Sequence, residues 1–442
     1  MNIKSRVTSK HSGCLLLLRR PQAVWVFLLA LIGALTFGIH EVKAQFVDVV
    51  IDAPSNSILQ QDTNHIRDIG TVGVLAEYTI EVPGTAATFR ARSGTAVRGT
   101  TIPVSWNSHV RIGSTTKTMV STVILQLEAE GKLSINDKVE KWLPGVIAGH
   151  GNNGERITIR NLLQHTSGLF DYIEADAMLE TLVTPEGFYP NRYNTYTLRQ
   201  LAALAVAHPP NFAPGARWEY SNTNYIVAGM IIEAVTGQPW GKQLKDRIFI
   251  PVGMSHTSEP GNNPSLPVPF PRGYEIFGDD TPYYDTTEHN MTWGSPAGSL
   301  ISTPRDVNKF FRALMKGRLL PPAQMAELKT TVPMGADYEA IWPGARYGLG
   351  IFSTKLPCGG IYWHHGGDVI GYSNTNGVTP DGIKSAMVAS STNTLGDPEF
   401  AEGSIRYTNE LVWNALCGYD TDQEDTKAQP LHSMGKPHHK PL

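Results

Sequence analysis

The sequence predicts an α/β protein of the α+β kind, in which both ends of the chain build one antiparallel sheet flanked by helices and the middle forms an inserted all-helical lobe. Three observations predict it. Short β-rich runs cluster towards the two ends, helical runs fill the stretch between them, and no repeat or long linker divides the whole. Termini that jointly form one sheet are the simplest architecture for that order. A pocket is then expected between the lobes. The composition permits such a core: 442 residues, 41% hydrophobic and 17% charged, ordinary for a two-lobed globular chain.

The first element is of another kind. Lys4, Arg6, Lys10, Arg19 and Arg20 precede an apolar run from Ala23 to about Ile39, followed by Val42-Lys43-Ala44. That order of parts is a secretory signal with a small-x-small cleavage site, giving a mature start at Gln45. At about 17 residues the run is short for a membrane span, though an uncleaved anchor is the other reading of it. Residues 1–44 carry a net charge of +5, so removing them from a chain of −3 leaves −8. An acidic chain without a basic stripe is not expected to bind nucleic acid.

Val72–Ile80 and Ala86–Ser93 read as a β-hairpin turned by Pro83-Gly84. Ser114–Glu130 reads as a helix, with Met119, Val120, Val123, Ile124 and Leu127 at three- and four-residue spacings and Gly131 as its stop. Helices follow at Thr158–Gln164, Thr197–Ala207, Asn224–Thr236 and Lys242–Ile248, with no clear strand pair between them, and again at Asp306–Met315. Strands return at Tyr362–His365, Gly371–Val378 and Ile383–Ser391, and a last helix covers Ala401–Leu416. The polar end from about Tyr419 has little to bury, so it reads as a disordered tail in which His438 and His439 are solvated. The expected division is a signal peptide at 1–44, a sheet-containing lobe from 45–132 and 294–418, a helical lobe at 133–293, and a tail at 419–442. Cys14 lies in the signal, which leaves Cys358 and Cys417 as an even pair in an exported chain, and a disulfide is expected.

Three short motifs carry chemistry. In Ser114-Thr115-Thr116-Lys117 the two end residues share one helix face, so the amine can reach the hydroxyl. Desolvation can lower such an amine's pKa until it accepts the serine proton, and the free N–H groups of the helix start suit an oxyanion. Ser433-Met434-Gly435-Lys436 has the same spacing in a tail that cannot hold a site, so the motif alone is weak. In Tyr220-Ser221-Asn222, a tyrosine beside a cationic lysine favours its phenolate and can shuttle a proton, while Asn222 can hold Lys117 or a substrate amide. In His365-Gly366-Gly367, the glycines let a substrate backbone approach a strand, His365 offers a hydrogen bond or a positive charge, and the N–H of Asp368 offers a second oxyanion donor.

Ser-x-x-Lys, then Tyr-x-Asn, then a His-led motif ending in Gly resembles the penicillin-recognising serine hydrolases: class C-type β-lactamases, D-alanyl-D-alanine carboxypeptidases, D-aminopeptidases and related esterases. Arg111–Lys117, Leu125–Leu143, Ile157–Leu169, Trp218–Gly237, Thr287–Leu320, Tyr347–Gly350 and Cys358–Tyr372 look like the secreted actinomycete-type DD-carboxypeptidase. The resemblance implies the same sheet-plus-helical-lobe fold, places Trp293 at the substrate cleft and suggests a Cys358–Cys417 bridge. It implies an acyl-enzyme on Ser114, with small-molecule or peptide amides, esters or β-lactams as substrates and no metal or cofactor. One departure stands out. Phe352 and Asp368 occupy the places where the carboxypeptidase pattern has an Arg and a Thr for the substrate's terminal carboxylate, so neutral amides or esters are expected to be better substrates. An esterase, amidase or D-aminopeptidase on the same machinery is the alternative. A silent ligand-binding relative is disfavoured because every proton-transfer position is filled. Neither a Gly-x-Ser-x-Gly elbow nor a His-Glu-x-x-His helix is present.

Overall fold

The computed structural model describes residues 47–53, 57–278, 282–394 and 396–418. The expected signal at 1–44 with Cys14, and the tail with its second Ser-x-x-Lys and its histidine pair, lie outside the described residues.

The chain opens with strand β1 (Val47–Asp52) and helix α1 (Ile58–Asp68), then the hairpin of β2 (Gly73–Val82) and β3 (Thr85–Gly94). Val82 pairs with Thr85 across Pro83-Gly84, where the proline fixes φ and Gly84 takes a positive φ of 84°. Helices α2 (Thr116–Ala129), α3 (Leu198–Val206), α4 (Thr223–Thr236) and α5 (Pro304–Met315) follow. The remaining strands of the large sheet are β4 (Val332–Pro333), β5 (Arg346–Tyr347), β6 (Phe352–Lys355), β7 (Ile361–His364), β8 (Gly367–Val369), β9 (Tyr372–Val378) and β10 (Lys384–Ser390). Helix α6 (Pro398–Cys417) closes the described chain.

These strands form one sheet in the order β1-β3-β2-β10-β9-β7-β6-β5-β4, with β8 also on β9. The two ends of the chain meet where β2 pairs antiparallel with β10, Val74 opposite Ser390 and Ile80 opposite Lys384. Only the β1–β3 pairing is parallel in this sheet. Both faces of the sheet are covered. Ala386 and Val388 of β10 pack with Leu411, Val412 and Ala415 of α6, whereas Met387 and Ala389 belong to the core shared with Val307, Phe310 and Leu314 of α5. That double burial is why the middle of β10, Ala386 to Ala389, is apolar at successive positions instead of alternating.

The stretch 133–293 is mostly helical but carries strands that the sequence reading did not expect. Ala148–Gly149 pairs with Asn152–Asn153, and Tyr274–Ile276 pairs with both Tyr284–Asp285 and Thr392–Thr394. Strands of two or three residues are too short to display a period-2 alternation. Helix α4 is buried at every position from Thr223 to Ile232, and α2 at every position from Thr116 to Leu125. A helix buried all round is a core element, and these two cores deliver their N-termini to one place.

Candidate active site

Ser114 sits in a single 3-10 turn, Gly113–Thr115, that leads into α2. Gly113 adopts φ 48°, and a Cβ there would stand 2.6 Å from Asp368 O and 2.9 Å from Asp368 N. Only glycine lets the turn pass this close to β8. Lys117, one turn on, is completely buried while Ser114 stays partly open. Its Nζ lies 2.8 Å from Ser114 Oγ, 2.8 Å from Asn222 Oδ1 and 2.7 Å from Ala297 O.

The chemistry of those three partners accommodates either form of the amine. Two are carbonyl oxygens, which only accept, and one is a hydroxyl, which can donate. An ammonium donates to all three oxygens, whereas a neutral amine donates to the two carbonyls and accepts the Ser114 proton on its lone pair. Burial pushes Lys117 well below the usual lysine range, only partly opposed by the charge of Asp171.

Tyr220 comes from the segment preceding α4 and hydrogen-bonds Ser114, with its ring centroid 4.9 Å from Lys117 Nζ. Burial, and then the neighbouring Tyr338, hold its phenol well above the usual value. Both shifts run against the phenolate that a cationic Lys117 was expected to favour. Asn222 does not use its side chain to cap α4. Its N and Nδ2 both donate to Asp171 Oδ2, at 2.9 and 3.0 Å, which turns Oδ1 towards Lys117. Asp171 Oδ1 accepts from the N–H of Ile173 at 3.2 Å, and burial pushes this carboxyl up to about 6.

Neither Asp171 nor His165 was singled out from the sequence, although His165 lies in the Ile157–Leu169 stretch that carried the resemblance. The His165 ring stacks on Tyr220 at 4.3 Å. Its Nδ1 accepts from Ser221 N at 3.2 Å and Asn224 Nδ2 at 3.0 Å, and burial holds the imidazole neutral. A neutral ring under a neutral phenol fixes the tyrosine without supplying charge.

His365 is buried too, and burial depresses it well below the usual histidine range. Its Nδ1 faces Gly366 O at 2.8 Å and so carries the hydrogen, leaving Nε2 to accept from Tyr347 Oη at 3.1 Å. The positive charge considered for this residue is thus corrected to a neutral imidazole turned away from solvent. The glycine pair also has another reason than the one expected. A Cβ on Gly367 would collide with Ile112 O and stand 2.7 Å from Ser114 N, so the close approach is made by the protein's own backbone. Asn374 of β9 fastens that approach: its Nδ2 donates to Ile112 O at 3.0 Å and to Gly367 O at 2.8 Å.

Beside Ser114 lies a small pocket with Ile173, Met291, Trp293 and Val369 as apolar wall and Asn222 and Asp368 as polar lining. Trp293 lines this pocket, and its carbonyl accepts from Tyr172 Oη. Phe352 is not on this lining. It is 4% exposed, in an aromatic cluster with Tyr347 and Trp342, its ring 4.9 Å from that of His365. The apolar ring expected to meet a carboxylate is set behind His365, whereas Asp368 is on the pocket lining. Cys358 and Cys417 are bonded, with Cα atoms 5.8 Å apart. Among the described residues no group of three or more His, Cys, Asp or Glu is placed to hold a metal ion.

A buried Ser-x-x-Lys pair at the start of a core helix, met by Tyr-x-Asn and a glycine-bearing strand, is the arrangement of the penicillin-recognising serine hydrolases. Residues 75–410 match the Beta-lactamase family model, and the chain belongs to that family, whose members are generally serine hydrolases. Among solved structures it is similar to a D-stereospecific amidohydrolase from Streptomyces sp., with 38% identity, a TM-score of 0.71 and coverage of 79% of this chain and 97% of that one. A D-amino acid amidase from Ochrobactrum anthropi SV3 gives 25% identity and a TM-score of 0.68 over 81% and 96% of the two chains. Among curated proteins, the putative penicillin-binding protein PbpX of Bacillus subtilis is 30% identical over 58% of this chain and 55% of its own length. The chain spans about half the length of the curated relatives it matches.

Proposed function

We propose that the protein is an exported serine amidase that cleaves amide and ester bonds of D-amino acid derivatives through an acyl-enzyme on Ser114. The observation that carries this reading is the buried Lys117 amine 2.8 Å from Ser114 Oγ, within reach of its proton. In the proposed cycle Ser114 Oγ attacks the carbonyl carbon as its proton passes to Lys117. The oxyanion is held by the N–H groups of Ser114 and Asp368. Tyr220 gives its proton to the leaving nitrogen and regains one from the Lys117 ammonium. Water then repeats the path and releases the acid.

The apolar wall beside Ser114 supports an acyl group with an apolar side chain, and the two amidase neighbours support the D configuration. A second reading, DD-carboxypeptidase or β-lactamase, draws support from PbpX. Against it, Asp368 would repel a terminal carboxylate, and Arg346, the nearby candidate to replace the missing arginine, donates instead to Thr331 Oγ1 at 2.8 Å and Thr331 O at 3.0 Å.

The test compares kcat/KM for D- and L-phenylalanine amide, nitrocefin, and a D-Ala-D-Ala peptide with its C-terminus free or amidated. Expected is a preference for the D-amide and for the amidated peptide. A tenfold or greater preference for the free acid, about 1.4 kcal/mol, would restore the carboxypeptidase reading. Fluorophosphonate labelling should map to the Ser114 peptide and vanish in Ser114→Ala, and the secreted protein should begin at Gln45.

A further inference from the structure

Arg111 stands three residues before Ser114, in the two-residue strand Val110–Arg111 that pairs with Ile301–Ser302. It is completely buried, and among the described residues no carboxylate forms an ion pair with it, Glu288 acting only at longer range. One nitrogen does all of its hydrogen bonding: Nη2 donates to Pro264 O at 2.7 Å, Thr287 O at 3.1 Å and His289 O at 3.1 Å. Nε and Nη1 are buried without a hydrogen-bond partner among the described residues. Burial lowers the guanidinium to about 10, so it is still a cation at neutral pH.

Stability does not account for such a residue. A buried cation without a carboxylate, with two of its three nitrogens unpaired, is less favourable than an apolar side chain of similar volume. What the guanidinium achieves is geometric, since it gathers carbonyls from two loops onto the segment that carries the nucleophile. Thr287 and His289 belong to the loop that runs on to Met291 and Trp293, both on the pocket lining. Trp293 has a separate tie through its carbonyl to Tyr172 Oη. For Met291 the tie runs through His289, whose Nδ1 faces Thr286 O at 2.7 Å and whose Nε2 lies 3.0 Å from Met291 Sδ. A methionine side chain is unbranched and fills whatever space its surroundings leave. The position of this loop therefore sets the room beside Ser114.

We propose that Arg111 is a positioning residue for substrate selection: it clamps the Thr287–His289 loop to the strand before Ser114 and so fixes how far Met291 reaches into the acyl pocket. The inference rests on the acyl-enzyme reading and deepens it, because it concerns which acyl side chains fit.

The experiment measures kcat and KM for D-phenylalanine amide and D-alanine amide with the wild type and with Arg111→Met, which keeps an unbranched stem and removes the donors and the charge. The wild type should discriminate between the two amides by roughly tenfold or more in kcat/KM, as a fixed pocket wall does. In Arg111→Met that ratio should move towards one by about fivefold or more, with the change carried by KM. An unchanged ratio, or a wild type without discrimination, overturns the proposal. So does an equal fall in kcat for both amides with slower fluorophosphonate labelling of Ser114, which would place the effect on the turn that holds the nucleophile. If Arg111→Met does not fold, the ratio is read in Thr287→Val. That variant removes a hydroxyl that donates to Asp285 Oδ1 at 2.6 Å and accepts from Gly273 N at 3.0 Å, and so loosens the same loop from its start. The same shift is expected, and its absence overturns the clamp. A wild type that labels at Ser114 but hydrolyses neither amide overturns the amidase reading alone. The clamp is then read on p-nitrophenyl butyrate against p-nitrophenyl acetate, with the same expected and overturning results.

Discussion

The ionisation of Lys117 is set by two opposing influences. Burial lowers it, and the negative charge of Asp171, relayed through Asn222, raises it by a smaller amount. Asp171 also holds Asn222 in the only amide orientation that offers Lys117 an acceptor. Replacing Asp171 by Asn takes away the charge and one of the acceptor sites. Turnover should fall by roughly tenfold to a hundredfold, about 1.4–2.7 kcal/mol. With the anion gone the ammonium is less stabilised, so the acid limb of kcat/KM should move to lower pH. Glu174, the other acid beside Asp171, is untouched in this comparison. A pH–rate profile is the measurement. An unchanged limb with only a lowered melting temperature would reduce Asp171 to a structural role. For the acid–base pair itself, Tyr220→Phe and Lys117→Ala should each cost about 10²–10⁴ in rate, and near-normal turnover removes that residue from the proposed cycle. At this scale Ser114, Lys117, Tyr220 and Asn222 were legible because their spacing is chemical. The protonation states of Tyr220 and His365 were not, because burial decides them and no spacing reports burial. Asp171 escaped notice because Asn222, the site residue it holds, is 51 residues away in the chain.

The elements that build the site were legible where one signal dominated. Thr158 and Thr197, with which two of the expected helices began, cap those helices by accepting from the N–H three residues on. Strand β1 and helix α1 were not read, since β1 is a short parallel edge and α1 is polar over most of its length. Strands β4 and β5 have two residues each, below the length at which alternation can be seen. The pairing of β8 with β9 matters most, because it brings Gly367 against the turn that holds Ser114. Asn374 donates to one carbonyl on each of the two segments that bear the proposed oxyanion donors. Asn374→Asp keeps the shape but replaces the donor by a carboxylate oxygen facing two carbonyls. Its kcat should fall more than that of Asn374→Ala, with a smaller change in KM in both, since a displaced oxyanion donor is felt in the transition state first. Steady-state kinetics on one amide substrate decide it, and an equal rise in KM with unchanged kcat would mean that Asn374 shapes the ground-state pocket instead.

Across the whole molecule, the site depends on the sheet remaining closed where the two ends of the chain meet, and the Cys358–Cys417 bond acts on that closure. Cys358 lies in the turn between β6 and β7, one strand before His365, and Cys417 ends α6, whose apolar face covers β10. The bond therefore joins the half of the sheet that carries His365 to the helix that covers the β2–β10 seam. The two cysteines are 59 residues apart. Closing a loop of that size restricts the unfolded chain and typically stabilises by about 2–4 kcal/mol. Neither cysteine touches Ser114, Lys117 or Tyr220 in the contacts described above, so the effect should appear in stability and not in turnover of the folded enzyme. Reduction, or Cys417→Ser with Cys358→Ser, should lower the melting temperature by roughly 2–5 °C and leave kcat/KM at 25 °C within about twofold. Non-reducing peptide mapping should recover the two peptides joined, while both cysteines recovered as free thiols would refute the bond. A large loss of activity at 25 °C in the double variant, with the fold intact by circular dichroism, would instead mean that the bond holds His365 in register with Ser114 and that the sheet and the site are not separable.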